Sequence, residues 1–295
     1  MKNKDFITKL KNEYLGRTYA FACGLFIILL TLVIIFFIFT KGIATFTEDG
    51  VSLSQFLFST VWKPDAEPAQ FGALIFIAGS TLVSLGAVIL SAPISVALAI
   101  FMHYISPKFG QKVLQPALEL FVGIPSVVYG WLGFSILLPL LKGTFGGIGF
   151  SLLAGIIVLS IMILPTTASI AADAVKVVPG IYMEASYGLG ATRWQTISKV
   201  IVPASKSGIL TGIVLGLARA FGEAMAVQMV IGNSIKLADG PLSPTSTLTS
   251  ILAMDMGNTV TGTPWNNALW SMALLLLIIS FLFIFIIRFL GKRGE

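Results

Sequence analysis

Arg219 and Glu223 stand four residues apart in an otherwise apolar stretch that runs from about Ser207 to Ile231. An ionised side chain at the centre of a bilayer costs roughly 3 kcal/mol on insertion scales, so such groups turn inward and find partners. On a continuous helix a spacing of four puts the two on one face. The guanidinium is a planar fork of donors that suits an oxyanion. Glu223 could hold that fork when no anion is present, or accept a hydrogen bond from a protonated oxyanion. A purely architectural Arg–Glu pair that fixes helix packing is the other reading of the same spacing. Ser126 and Tyr129, just after Gly123-Ile124-Pro125, and Glu119, just before it, are the further candidates for an anion path. The Gly-Ile-Pro run should kink its helix, and the backbone groups it frees need neighbours or a water-filled path. Ordinary interhelical hydrogen bonding also accounts for Ser126 and Tyr129, and snorkelling toward the interface accounts for Glu119.

Other chemistry is limited by residue counts. The chain has one histidine, His103, and one cysteine, Cys23. Paired-histidine zinc motifs and an internal disulfide framework are therefore excluded. A Ser-His-Asp arrangement would have to use His103, which falls at a helix end where a structural role suffices. No nucleophile–base set and no set of metal ligands converges, so no catalytic residue and no metal site is expected. The phosphate-cradling pattern Gly-x-x-x-x-Gly-Lys-Ser/Thr is absent, so the chain should hold neither ATP nor a cofactor of its own.

The composition says what positions these residues. Of 295 residues, 56% are hydrophobic and 11% are charged, against about 25% charged in an average soluble domain. The mean hydropathy is +0.93. Soluble globular, disordered and fibrous classes are excluded, which leaves an integral membrane protein, and its long apolar runs make it an all-α polytopic one. A crossing needs about 20 apolar residues. Six segments qualify: about Tyr19 to Thr40, Phe71 to Met102, Ala117 to Leu141, Ile148 to Val175, Ser207 to Ile231, and Ala268 to Phe289. The first is longer than a signal-peptide core and reads as a retained helix. Pro93 and Pro165 inside the second and fourth should bend them.

Charge sets the orientation. Lys2, Lys4, Lys9, Lys11 and Arg17 precede the first crossing; Lys108 and Lys112, then Lys176, Arg193, Lys199 and Lys206, then Arg288, Lys292 and Arg293 fall on the same side. The other side holds only Lys41, Lys63, Lys142 and Lys236. The positive-inside rule puts both termini in the cytoplasm, with the chain in the cell's cytoplasmic membrane. The formal net charge of +6 follows from those loops and needs no nucleic acid. The organisation is a cytoplasmic tail over 1–18, a first crossing over 19–40, an external loop over 41–70, and a membrane domain over 71–290. That domain carries a cytoplasmic loop over 176–206 and an external loop over 233–267. The external loop is rich in Gly, Pro, Ser, Thr and Asn, and Ala253 to Asn258 can form a short helix within it.

The cytoplasmic loop is more than a connector. Pro179-Gly180 signals a turn, Ile181 to Leu189 can form a short amphipathic helix, and Gly190 can end it in a left-handed cap. Thr192 can cap a second helix, which Pro203 ends or bends. Two short helices joined at a glycine suit docking into a groove of a cytoplasmic partner. Glu184-Ala185-Ser186, then Gly190, then Val200, Val202 and Pro203 resemble the EAA loop of permease subunits of ABC importers at every position of its spacing. Ser186 for Ala and the valines for Ile and Leu are mild departures. The resemblance implies the MetI-like permease fold, a core of five helices preceded here by one more.

Two further runs narrow the resemblance. Gly123-Ile124-Pro125-Ser126-Val127-Val128-Tyr129-Gly130 and Arg219-Ala220-Phe221-Gly222-Glu223-Ala224-Met225-Ala226-Val227 resemble runs of phosphate importer permeases. The Met-Ala-Val ending resembles the PstC type rather than its PstA companion. The likeness covers roughly residues 70 to 290. It implies a transport subunit rather than an enzyme: a permease that passes inorganic phosphate, paired with a second, PstA-like permease. It further implies a PstB-like ATPase dimer that binds ATP and magnesium, and an external PstS-like phosphate-binding protein. Arg219 and Glu223 would line the path, with Ser126, Tyr129 and Glu119 as further candidates, and Glu184, Ala185, Ser186, Gly190 and Pro203 would couple to the ATPase. Sulfate or molybdate fits the same chemistry. A proton-coupled secondary transporter with Glu223 carrying the proton is a different class, but it gives no reason for the loop from Glu184 to Pro203.

Overall fold

The computed structural model describes residues 15–292; Lys2, Lys4, Lys9, Lys11 and Arg293, on which part of the charge argument rests, lie outside them. Among the described residues the chain is almost entirely helical. The long helices are α1 (Leu15–Gly42) and α2 (Leu74–Ile100), which a π-helical turn extends to Ile105. Then come α3 (Gln115–Gly123), α4 (Ser126–Leu132), α5 (Leu138–Phe145) and α6 (Leu152–Lys176). The 176–206 segment forms α7 (Gly180–Gly188) and α8 (Arg193–Thr196). The chain finishes with α9 (Lys206–Gly222), α10 (Met225–Ile231), α11 (Leu248–Asp255) and α12 (Pro264–Lys292). The only sheet among the described residues is an antiparallel ribbon of β1 (Trp62–Lys63) and β2 (Gln70–Phe71).

Among the described residues, five segments are long and apolar enough to cross a membrane: Gly16–Thr47, Leu74–Ile105, Ser126–Phe145, Leu152–Lys176 and Pro264–Ile286. A sixth, Lys206–Gly222, qualifies together with Arg193–Ala204, from which it is bent by 68°. Two expected crossings need correction. The third, read as Ala117 to Leu141, does not kink at Gly123-Ile124-Pro125 but breaks there. Ile124 and Pro125 are extended, with ψ of 128° and 139°, because a residue before proline is driven out of the helical region. The apolar crossing therefore begins at Ser126, and α3 is a separate helix. The fifth is broken as well: α9 stops at Gly222, and Glu223 is extended with ψ of 121°. No proline stands there, so composition and periodicity carried no sign of it. Pro93 and Pro165, in contrast, lie inside helices that run on unbroken.

Helix α6 is the axis of the bundle. In its apolar stretch 56% of the residues are buried, whereas none are in that of α1. Around α6 pack α2, α9, α10 and α3. The middle of the bundle is filled by Val83, Val158, Met162, Ile163, Val227 and Ile231. At the end that carries α7, a second cluster gathers Met102, Leu118, Ala172, Val175, Ile201 and Ile209. At the opposite end Phe56, Trp62, Phe71, Phe76, Leu248 and Met272 form a third. Helix α1 stands apart, docked along α12 by Phe37 edge-on to Trp270 at 5.3 Å and by the Ser271 hydroxyl donating to the Gly42 carbonyl at 2.7 Å.

The 233–267 segment folds back into the bundle. Its short helix spans Leu248–Asp255, earlier than expected, and a 3-10 turn follows over Met256–Asn258. Thr247 and Ser250 form a reciprocal capping box that starts α11. Leu248 N–H donates to the Ser80 hydroxyl of α2 at 2.8 Å, and Gly79 leaves room for the Ser246 carbonyl. Thr247, Leu248, Thr249 and Ser250 are all buried.

Candidate functional site

Helix α9 reaches α6 along a stripe of small residues. Gly208, Gly212 and Gly216 recur every four residues, and each faces α6: Gly208 lies against Ala174, Gly212 against Ile170 and the Thr167 carbonyl, and Gly216 against the Thr167 hydroxyl. Glycines at this period let two backbones approach closely, which is how apolar helices associate when burial from water offers no drive. Arg219 follows one turn after Gly216 and is half-buried at the same contact. Its Nη1 donates to the Thr166 Oγ1 at 2.7 Å. Thr166 lies midway along α6, directly after Pro165.

Glu223 does not complete this group as the spacing suggested. A shared face requires the helix to continue, and it stops at Gly222. The Glu223 Oε1 instead accepts from Ala226 N–H at 3.1 Å, capping the start of α10. Its carbonyl accepts from the Thr249 hydroxyl at 2.8 Å. No ion pair joins Arg219 to Glu223 among the described residues. Glu223 lines a different space, a small polar hollow with Ser80, Ser84, Thr247 and Thr249.

The other expected residues separate along the chain. Tyr129 is buried, and its hydroxyl donates to the Phe121 carbonyl at 2.8 Å, so it satisfies a backbone group freed by the break beside it. Ser126 opens α4, is half-buried, and makes no side-chain hydrogen bond among the described residues. Glu119 is exposed on α3, where its carboxylate accepts from Gln115 Nε2 at 3.1 Å; it does not join Arg219. Thr166, Thr249 and the glycine stripe carry most of the observed geometry and were not singled out from the sequence. The four-residue period of Gly208, Gly212 and Gly216 was the available signal for the α6–α9 contact; nothing in the sequence pointed to Thr166.

On the α6 face that carries Thr166, Ile170 and Asp173 follow at helical spacing. They border an open hollow of 690 Å³ between α6, the start of α7 and α9, which Tyr182, Ser207 and Thr211 also line. The hollow opens at the end that carries α7 and reaches Ile170 on α6 and Thr211 on α9, short of Thr166 and Arg219.

The loop at that end has the expected form. Gly190 has a φ of +80°, a conformation that glycine adopts freely. Thr192 caps α8: its hydroxyl accepts from Gln195 N–H at 3.3 Å while Gln195 Oε1 accepts from Thr192 N–H at 2.8 Å. The bend follows Pro203, at Ser205, where the direction changes by 68°. Ser186, the departure from the Glu-Ala-Ala pattern, shares a 2.9 Å hydrogen bond with Thr196 in a buried contact between the two short helices. Glu184, Ala185 and Gly190 are exposed, and so are Ile181, Leu189 and Trp194; Leu189 is 91% exposed. A cluster of apolar side chains this exposed marks an interaction surface.

A helical membrane bundle with an internal cation and a projecting two-helix loop is the architecture of an importer permease. Residues 95–294 match the binding-protein-dependent transport system inner membrane component, and the chain belongs to that family. It is 50% identical to a probable ABC transporter permease protein, YqgH, of Bacillus subtilis, over 96% of this chain and 92% of that protein. It is 36% identical to the phosphate transport system permease protein PstC of Pasteurella multocida, covering 83% and 82%. A probable PstC of Methanocaldococcus jannaschii is 31% identical, covering 87% of each. The fold is that of a bacterial alginate ABC transporter chain, with a TM-score of 0.63 over 97% of this chain and 96% of the other at 15% identity. A chain of the MetNI methionine ABC transporter gives 0.55 over 75% and 92% at 20% identity.

Proposed function

We propose that this chain is the PstC-type permease subunit of an ATP-driven importer of inorganic phosphate. Relatives at 31–36% identity named for phosphate transport support the substrate. The observation that carries the reading is the Arg219 guanidinium, held midway through the bundle by a hydroxyl rather than by a carboxylate. Five N–H donors sit on a guanidinium, and one is used here. The rest of the fork, with its charge uncompensated, suits a monoanionic or dianionic oxyanion in a low-dielectric setting.

The partners follow from the family and the loop. A second, PstA-like permease completes the path. A PstB-like ATPase dimer docks on the exposed face of Ile181, Leu189 and Trp194, and binds the ATP and magnesium that drive the cycle. A PstS-like binding protein delivers phosphate from outside. Both termini and the 176–206 loop lie in the cytoplasm, in keeping with Arg17, Lys108, Lys112, Lys176, Arg193, Lys199 and Lys206 falling in alternate segments between the apolar crossings. Closure of the ATPases moves α7 and α8 as one unit, because the Ser186–Thr196 hydrogen bond joins them. The 68° turn at Ser205 passes that movement to α9, which carries Arg219.

Uptake of labelled phosphate by vesicles holding both permeases, the ATPase and the loaded binding protein tests the reading. ATP-dependent uptake that excess sulfate and molybdate leave unaffected is expected. Uptake of either of those anions in preference to phosphate would overturn the substrate, and uptake independent of ATP would overturn the class.

A further inference from the structure

We propose that Thr166 is a positioning residue for Arg219, one that fixes the guanidinium in the path without neutralising it. The proposal rests on the reading of Arg219 as the phosphate-facing cation.

Three observations converge on it. First, the contact is short and joins different helices: Arg219 Nη1 to Thr166 Oγ1 at 2.7 Å, across 53 residues of sequence. Second, the register that allows it is built into the helices. Gly208, Gly212 and Gly216 seat α9 on α6 at Ala174, Ile170 and Thr167, so the turn after Gly216 brings Arg219 to the residue beside Thr167. Third, the nearby carboxylate is engaged elsewhere, since Glu223 caps α10.

The choice of partner has an electrostatic consequence. A carboxylate at this distance would hold the guanidinium firmly but compete with the incoming anion for the same charge. A hydroxyl accepts one N–H, aims the fork and leaves the net charge in place. Threonine suits the task better than serine alone would suggest, because its branched Cβ limits χ1 and with it the direction of the hydroxyl.

The variants Thr166→Val, Thr166→Ser and Thr166→Asp, in the complete transporter, separate this role from packing. Valine keeps the shape and loses the hydroxyl; serine keeps the hydroxyl and loses a methyl. Positioning predicts that valine lowers the maximal uptake rate roughly tenfold, the scale of a hydrogen bond to a charged group. Serine should stay within about twofold of the native rate. Aspartate should stop uptake by neutralising Arg219. In the valine variant, ATP hydrolysis stimulated by the loaded binding protein should persist, so that less phosphate moves per ATP; a packing defect would lower both together. Native uptake with valine, or loss with serine and recovery with valine, would overturn the proposal. Thr166→Ala, which introduces no new atoms, repeats the comparison if valine hinders assembly. Arg219→Gln is the control. If Arg219→Gln transports normally, the path reading itself fails; if it is inactive while Thr166→Val is native, only the positioning role fails.

Discussion

The Thr249 hydroxyl donates to the Glu223 carbonyl at 2.8 Å, so the break in the fifth crossing is tied to a helix that begins in the segment after it, 26 residues on. The Glu223 side chain works at the same break by accepting from Ala226 N–H. Its role is that of a cap, which an amide oxygen can also fill. Glu223→Gln should therefore assemble and retain most of the uptake. Glu223→Ala removes the acceptor and should destabilise the subunit by about 1 kcal/mol, the usual cost of a lost cap. Thermal unfolding of the purified subunit in detergent, beside uptake, compares the two. Equal loss in both would show that the charge, not the cap, is what matters.

Gly190 sits at φ +80° with open space around the position of a Cβ. A substitution there meets no neighbour, so its cost is backbone strain alone, about 1–2 kcal/mol for a β-branched residue. Gly190→Val should leave the protein inserted but distort the angle between α7 and α8. ATP hydrolysis should then stop responding to the loaded binding protein. A fully retained response would mean that the ATPase docks elsewhere.

Orientation is checked by cysteine labelling in a Cys23→Ser background. Lys63 is exposed on the ribbon and Asp255 ends α11, both at the end away from α7. Cysteines at these two positions should react with a membrane-impermeant thiol reagent in intact cells. A cysteine at Thr192 should react only after the membrane is opened. Labelling of Thr192 from outside would reverse the map.

Asp255 also gives a pH dependence. Burial first, and the Asp65 charge second, push its carboxyl above the usual range. A carboxyl whose folded value is raised costs stability once pH passes the unfolded value, and the cost is complete above the folded one. Asp255→Asn should therefore raise the unfolding temperature at neutral pH and leave it unchanged below the carboxylate range. A gain that persists in acid would point to a cause other than ionisation.

Much of this architecture was legible in the residues. Composition and apolar run length gave the helical crossings, and turn chemistry at Pro179, Gly190 and Thr192 gave the loop. What was hidden lay in tertiary choices. The break at Glu223 has no proline to announce it; it depends on Thr249 and Ala226 supplying partners to a residue that left the helix. The pairing of Arg219 with Thr166 depends on how closely two helices approach, and only the four-residue glycine period carried a trace of that. Spacing alone favoured Glu223, because the rule that places i and i+4 on one face presumes a helix that continues.

The Arg219 series draws these points together. Arg219→Gln should stop phosphate uptake while the subunit still assembles with its partners, since the change removes a charge that no carboxylate pairs with among the described residues. Arg219→Lys keeps the charge but loses the planar fork, and should recover little. The decisive case is the double change Arg219→Gln with Glu223→Gln. A balanced buried pair would be restored by neutralising both members, because each single change leaves the other unpaired. Here the two do not meet: Arg219 turns to Thr166 and Glu223 to Ala226. The double variant should thus be as inactive as Arg219→Gln alone. Uptake measured beside assembly in all three variants decides it, and recovered uptake in the double would show that the two charges pair during transport and that Arg219 is architectural.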